Sequence, residues 1–291
     1  MPYVRLPERS LLTVTGEPAL HFLQNLVTAD LDHLGDGEMR PCALLTPQGK
    51  ILFEFLIGRQ ADGFRLDAAA AAANDLKKRL TLYKLRTKVG IDALDLPVLA
   101  VWEAPGLAAP ELYADRRFPQ GEMARLYGTA PDGIAEASAD DYRIRRIRAG
   151  IAEAETDYPG SDVFPHDVLF DQNGGVSFHK GCFVGQEVVS RMQHRGTARR
   201  RLMLLSGERH LTRGANIEAG GKTIGTVLAT QDTEGFGFMR IDRLAASLSR
   251  GEDLSADGVP VTATIPPWAG FALPDPANAD PAGTDPAGSE A

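Results

Sequence analysis

Lys180-Gly181-Cys182-Phe183-Val184-Gly185-Gln186-Glu187 is the stretch on which the reading of this chain turns. A cysteine acts as nucleophile or metal ligand only as thiolate, so its surroundings decide its use. A helix beginning near Val184 would set Cys182 beside free amide groups and the positive end of the helix dipole. Lys180 adds a cation, and Gly181 and Gly185 let the backbone come close to a ligand. Gln186 and Glu187 then fall in the first turn, where an acid is favoured and can cap. The other reading makes Cys182 a small core residue at a tight turn, and local physics leaves both open. A metal site built on His179 and Cys182 is short of ligands. A Cys–His pair with His166, His179 or His194 needs closeness in space, which spacing cannot supply.

Downstream, the helix runs through Val188 to Arg195 and stops at Gly196, with His194 and Arg195 in the last turn where cations favour the dipole. Arg191, His194, Arg195 and Arg199-Arg200-Arg201 form the one concentrated basic run. It reads as an interdomain surface paired with acids or as a steering patch for an anionic ligand. Beyond Arg201 the pattern turns to β: Leu202 to Leu205, Thr223 to Thr230, Phe236 to Ile241 and Val261 to Ile265, separated by Gly-rich turns as in a small barrel. From Leu273 the chain is Ala, Pro, Asp and Gly, with Asp-Pro-Ala starting at 275, 280 and 285. Such a tail buries no core and is expected to be disordered.

Upstream, Val176 to Phe178 is strand-like and residues 151–175 look irregular. Ser138 and Asp141 match a capping box. They open a helix over Tyr142 to Ala149 that stops at Gly150 and carries Arg143, Arg145, Arg146 and Arg148. These read as a solvated basic face or as one or two guanidiniums aimed at an anionic ligand. Near the amino end, Leu11 to Val14 is strand-like. Pro18 suits a first helical turn, and Ala19, Phe22, Leu23, Leu26 and Val27 follow one helical face. Cys42 to Ile57 reads as a hairpin turning at Pro47-Gln48-Gly49, with Cys42 a buried, inert thiol in its first strand. Gly63 to Asp67 is a short strand, and Ala68 to Leu85 an Ala-rich helix ending in basic residues. Val89 to Leu94, Pro97 to Trp102 and Met123 to Tyr127 have strand character, which suggests an inserted α+β unit.

The chain has 291 residues, enough for two domains, with 43% hydrophobic and 24% charged residues as in soluble globular proteins. No stretch is apolar enough to span a membrane, and the amino terminus lacks the layout of a secretion signal. A cytoplasmic protein, in a bacterial cytosol, is expected, with no membrane partner. Two cysteines are too few for a disulfide scaffold or a four-thiolate site. The net charge of −8 argues against bulk nucleic-acid binding, and neither a phosphate loop nor a dinucleotide motif is present.

The eight residues from Lys180 to Glu187, continuing to Arg191 and Arg195-Gly196, resemble the signature of the YgfZ family, folate-binding proteins related to the glycine-cleavage T-protein, an aminomethyltransferase. The resemblance runs from about residue 4 to 268 and takes in Gly16 with its helix, the Pro47–Gly49 hairpin and the closing barrel. It implies an α+β, T-protein-like folate-binding fold with an inserted ferredoxin-like unit and a C-terminal β-barrel. The implied division is a folate-binding region over 1–198 with the insertion at about 58–135, a barrel over 199–268, and a disordered tail over 269–291. It also implies tetrahydrofolate or a derivative as ligand, and a role in assembling or repairing iron–sulfur clusters in client enzymes, including tRNA-modifying ones. Cys182 is the implied functional residue. Lys180, Phe183, Gly185, Gln186, Glu187, Arg146 and Arg191 are the implied folate contacts.

Departures from the T-protein accompany the matches. Its Lys-x-Asp-Phe-x-Gly pattern lines up with Lys180, Cys182, Phe183 and Gly185, so a thiol replaces an acid. Its hairpin carries adjacent acids where this chain has Phe53-Glu54, and Arg148 stands where the transferase has Glu. The expected function is therefore a folate-binding accessory protein for iron–sulfur enzymes acting through Cys182. Folate-dependent one-carbon transfer is the alternative, and whether any reaction is catalysed stays open at this point.

Overall fold

The structure, a computed structural model, describes residues 1–103, 106–118 and 121–276. The first part of the chain runs β1 (Pro2–Arg5), β2 (Arg9–Thr15), α1 (Ala19–Gln24), β3 (Glu38–Leu45), β4 (Ile51–Gln60), β5 (Gly63–Ala69) and α2 (Ala70–Lys84). It continues with β6 (Gly90–Leu94), β7 (Val98–Trp102), β8 (Leu112–Asp115), β9 (Met123–Tyr127), β10 (Ala135–Glu136) and α3 (Ala139–Ala149). After a long irregular stretch come α4 (Gln186–Arg195), β11 (Arg200–Gly207), β12 (Asn216–Ala219), β13 (Lys222–Gln231), β14 (Glu234–Arg240), α5 (Ile241–Ser249), β15 (Leu254–Ala256) and β16 (Val259–Thr264).

The first ten strands form one sheet in the order β10-β1-β7-β9-β8-β3-β4-β5-β2-β6. Successive side chains point to opposite faces, and both faces are covered here. Leu12, Val14, Phe55, Ile57, Phe64 and Leu66 pack with Phe22 and Leu23 of α1 and Leu76 and Leu80 of α2. Their neighbours Leu11 and Leu56 face the other way, onto Val98, Trp102, Met123 and Tyr142. Each such side chain contributes about 1.5–3 kcal/mol on burial, which fixes strand register, since a one-residue slip would turn each set to the wrong face. The second unit is a closed barrel, β11-β14-β13-β12-β15-β16, with β16 pairing back onto β11.

The mixed fold with a closing barrel agrees with the sequence reading, and so do the hairpin and the capping box. Thr46 N donates to Lys50 O at 2.8 Å and Gly49 N to Thr46 O at 2.9 Å, closing the β3–β4 turn. Ser138 Oγ accepts from Asp141 N, and the Asp141 carboxylate accepts from Ser138 N. Gly150 ends α3 with φ +66°.

Other expectations are corrected. α1 stops at Gln24, because the chain beyond it bonds to the hairpin: Thr28 N donates to Ala43 O, and Val27 bridges Leu44. Val176 to Phe178 forms no strand; Val176 N donates to Phe170 O and Ser177 N to Thr28 O, with no ladder beside them. α5 falls where only a strand was read, and Ile241, Leu244 and Ala245 bury one helical face against the barrel. Phe271 and Leu273, read as tail, pack on the barrel core, with the Arg201 guanidinium 4.9 Å from the Phe271 ring. An aromatic beside a guanidinium and an open apolar face gives these residues a reason to order. Residues 277–291 of that tail lie outside the described residues.

Candidate functional site

The Cys182 loop is fastened from three sides. Thr28 joins two of them: its Oγ1 donates to Gly175 O at 2.6 Å and accepts from Ala43 N at 2.8 Å. Lys180 Nζ donates to the carbonyls of Val27 and Ala29, both at 2.7 Å, and lies 5.4 Å from the centre of the buried Phe183 ring. Gly185 has φ +77° and presses against the hairpin turn, where an added Cβ would stand 2.5 Å from Thr46 O. Between these anchors Cys182 is exposed, while Cys42 is fully buried in the sheet below. Burial pushes the Cys42 thiol up, as expected for an inert core cysteine.

The helix start expected near Val184 is corrected. Gly185 in left-handed conformation is the N-cap and α4 begins at Gln186, so Cys182 lies ahead of the first turn, beyond which dipole effects fall off. Its availability rests on exposure and on rigid anchors. Gly196 ends α4 as expected, with φ +59°.

Two measurements probe the anchors. Gly185→Ala is expected to cost about 1–3 kcal/mol in denaturant unfolding, from left-handed strain and the Thr46 carbonyl. Gly181→Ala, with open space around it, should stay within about 0.5 kcal/mol. Equal losses would remove the packing role of Gly185. Burial lowers the Lys180 pKa to about 8, against the pull of Cys42, Asp30 and Asp32. Below pH 8 folded and unfolded chains both hold this proton. Between about 8 and the ordinary 10.5 the unfolded chain holds more of it, so this group makes stability rise with pH through that window. Lys180→Met should flatten the rise in urea midpoints measured across it; an unchanged slope would assign the rise to other groups.

Of the residues expected to touch folate, Lys180, Phe183 and Gly185 serve the loop itself. Glu187 and Arg191 pair with each other at 2.6 Å on the exposed face of α4, and Gln186 is half-buried at its start. Arg146 is buried, bonded to Ile151 O and the Asp157 carboxylate and 3.5 Å from Glu153, so its guanidinium is engaged inside the protein. Arg148, by contrast, faces outward to Glu234 at 2.7 Å.

Arg146 belongs to a charge network that sequence reasoning missed. Arg117 donates to Asp115 at 2.8 Å and to Glu153 at 2.6 Å; Arg125 donates to Asp115 at 3.1 Å and to the Tyr142 hydroxyl at 3.0 Å. Arg9 donates to Asp67 at 2.6 Å, and all these groups are buried. Burial would raise the Glu153 carboxyl, but Arg117, Arg146, Arg9 and Arg125 hold it well below the usual carboxylate range. Glu54, the remaining hairpin acid, accepts from Tyr158 Oη and from Ala154 N, and burial raises its pKa. The available signal was charge inside apolar strands, as Asp67 after Leu66 and Arg125 before Leu126.

Among the described residues no three His, Cys, Asp or Glu side chains are grouped to hold a metal, and no helix is long and apolar enough to cross a membrane.

Sheet, barrel and loop together define an aminomethyltransferase-like fold carrying an exposed, anchored thiol. The solved glycine cleavage system aminomethyltransferase T from Bartonella henselae has this fold, with a TM-score of 0.70 over 92% of this chain and 86% of that one at 15% identity. Residues 199–271 match the family described as CAF17, C-terminal beta-barrel domain. Within that class, the chain is similar to proteins named as IBA57 factors. It is 30% identical to an iron–sulfur cluster assembly factor IBA57 homolog, mitochondrial, from Pyricularia oryzae, over 69% of this chain and 56% of that protein. It is 28% identical to the human mitochondrial IBA57 over 91% of this chain and 84% of that protein. The match thus spans little more than half the length of the fungal relative. These names overturn the cytoplasmic expectation: both relatives are named as mitochondrial factors.

Proposed function

We propose that the chain is an accessory factor for iron–sulfur cluster assembly that works through Cys182. The observation that carries this is the exposed thiol on a loop fastened to Val27, Ala29 and Thr46, in a chain similar to proteins named iron–sulfur cluster assembly factors. The cluster is cargo. On binding, the Cys182 thiol loses its proton and the sulfur bonds to iron. A single protein thiol leaves the cluster short of ligands, so a client enzyme or assembly protein supplies the others. Lys180 and Gly185 act by holding the loop still while the partner docks.

Tetrahydrofolate or a derivative enters the proposal through the T-protein-like fold alone, and no step passes through it. Tying Glu54 to Tyr158 and Ala154 gives one-carbon transfer no added support. The finer assignment to the YgfZ family, with tRNA-modifying enzymes among the clients, rests on the Lys180–Glu187 motif. With it goes the proposed division into a region ending at 198, an insertion at about 58–135, and the barrel. Complementing cells that lack the chain with native and Cys182→Ala forms, with iron–sulfur enzyme activity as readout, tests the thiol role.

A further inference from the structure

The carboxy-terminal end of α2 combines two features that folding disfavours. Leu76 and Leu80 bury one helical face in the sheet core, but Leu82 and Leu85 point outward at 68% and 87% exposure, the two most exposed large apolar side chains described. Leu85 also has φ 47° and ψ −108°, in the turn closed by Thr87 N donating to Lys84 O at 2.8 Å. Those angles belong to the first central position of a type II′ turn, where glycine is the unstrained choice. A leucine there adds backbone strain, and with its side chain in water it recovers no packing.

Along α2 and the turn after it, cations outnumber acids, with Asp75 the one acid between Ala70 and Lys88. Lys77 and Lys78 pair with Asp92 and Asp75 on the surface. Arg79, Lys84, Arg86 and Lys88 make no ion pair or side-chain hydrogen bond among the described residues. A positive patch on a chain of net charge −8 selects an anionic partner. The hollow beside Leu85 is lined only by Leu85, Arg86 and Thr87, so it offers no walls to clasp a partner's side chain. Two leucines projecting from a helix end, ringed by cations, suit a surface that is soft, anionic and apolar beneath.

We propose that this end of α2 docks on an anionic phospholipid bilayer. Leu82 and Leu85 enter the acyl boundary, and Arg79, Lys84, Arg86 and Lys88 meet the headgroup phosphates. The chain then sits on the bilayer without spanning it, and binding is reversible and weakened by salt.

Flotation of the full chain with vesicles tests this. It should float with vesicles of phosphatidylcholine and phosphatidylglycerol in equal parts, not with phosphatidylcholine alone, and should be released by added salt. The double variant Leu82→Ser, Leu85→Ser and the charge variant Lys84→Glu, Arg86→Glu should each weaken binding about tenfold or more. Leu85→Gly suits the turn, so it should weaken binding without lowering the melting temperature, which separates docking from folding. Failure to bind the mixed vesicles, or equal binding by the variants, overturns the proposal. Binding to soluble polyglutamate through the same leucines, without vesicle binding, assigns the surface to an acidic protein and also overturns it. Neither outcome bears on Cys182.

Discussion

Cys182→Ala is expected to leave iron–sulfur enzyme activity near the level of cells that lack the chain, while native protein restores it. The size of the effect follows from the inventory of thiols. Cys42 is the other cysteine, and it is fully buried in β3 with its pKa pushed up by burial, so it cannot stand in. Losing an outer-shell partner of a metal site alone costs about 10–100-fold in affinity or activity, and losing a ligand atom costs no less. The fold should not suffer, because exposed substitutions away from caps and strain stay within about 0.5 kcal/mol. Alkylation supplies the matching control: one thiol should react quickly in native protein and disappear in Cys182→Ala, while the second reacts only after unfolding. Full restoration of enzyme activity by Cys182→Ala, with the variant folded and present at native level, would falsify the thiol role.

Arg117→Ala is the second large effect, on stability. Its guanidinium bonds Asp115 through two nitrogens, at 3.0 and 2.8 Å, and Glu153 through the third, all within the core. Removing it takes three hydrogen bonds from two buried carboxylates, leaving Asp115 to Arg125 and Glu153 to the longer contacts of Arg125 and Arg146, and breaking a buried pair costs about 3–5 kcal/mol. The neighbouring Arg116 makes a comparison, since it pairs with Glu38 from a half-exposed position. Arg116→Ala should cost no more than about 1 kcal/mol. Urea unfolding of the two variants checks the contrast between adjacent arginines, and similar losses would mean that the network around Glu153 is solvated in solution.

Much of the fold was legible in the chain. The Pro47–Gly49 turn, the Ser138 capping box, and Gly150 and Gly196 at helix ends all act within a few residues, and their chemistry is the same before and after folding. The β-patterned segments beyond Arg201 announced the barrel for the same reason, although α5 was hidden inside it: Ile241, Leu244 and Ala245 follow directly on a strand, with no stop signal between. At the candidate site, the motif marked Cys182 but misplaced its surroundings. Gly185 read as room for a ligand, whereas it makes room for the carbonyl of Thr46. Lys180 read as a charge beside the thiol, whereas its ammonium spans to residues about 150 positions earlier in the chain.

Arg146 shows the limit most directly. It sits among four arginines of one helix, and spacing cannot tell which is solvated. Packing separated them: Arg146 turns inward to Asp157 and Glu153, and Arg148 outward to Glu234. The sequence by itself determined that one cysteine belonged to a strand and the other to a glycine-rich entrance to a helix, because turn and strand chemistry is local. Only the tertiary structure decided that Cys42 is sealed and Cys182 open, that the helix begins too late to act on the thiol, and that the network around Glu153 exists at all. Burial and ion pairing depend on which distant segments share a space, and no local pattern records that.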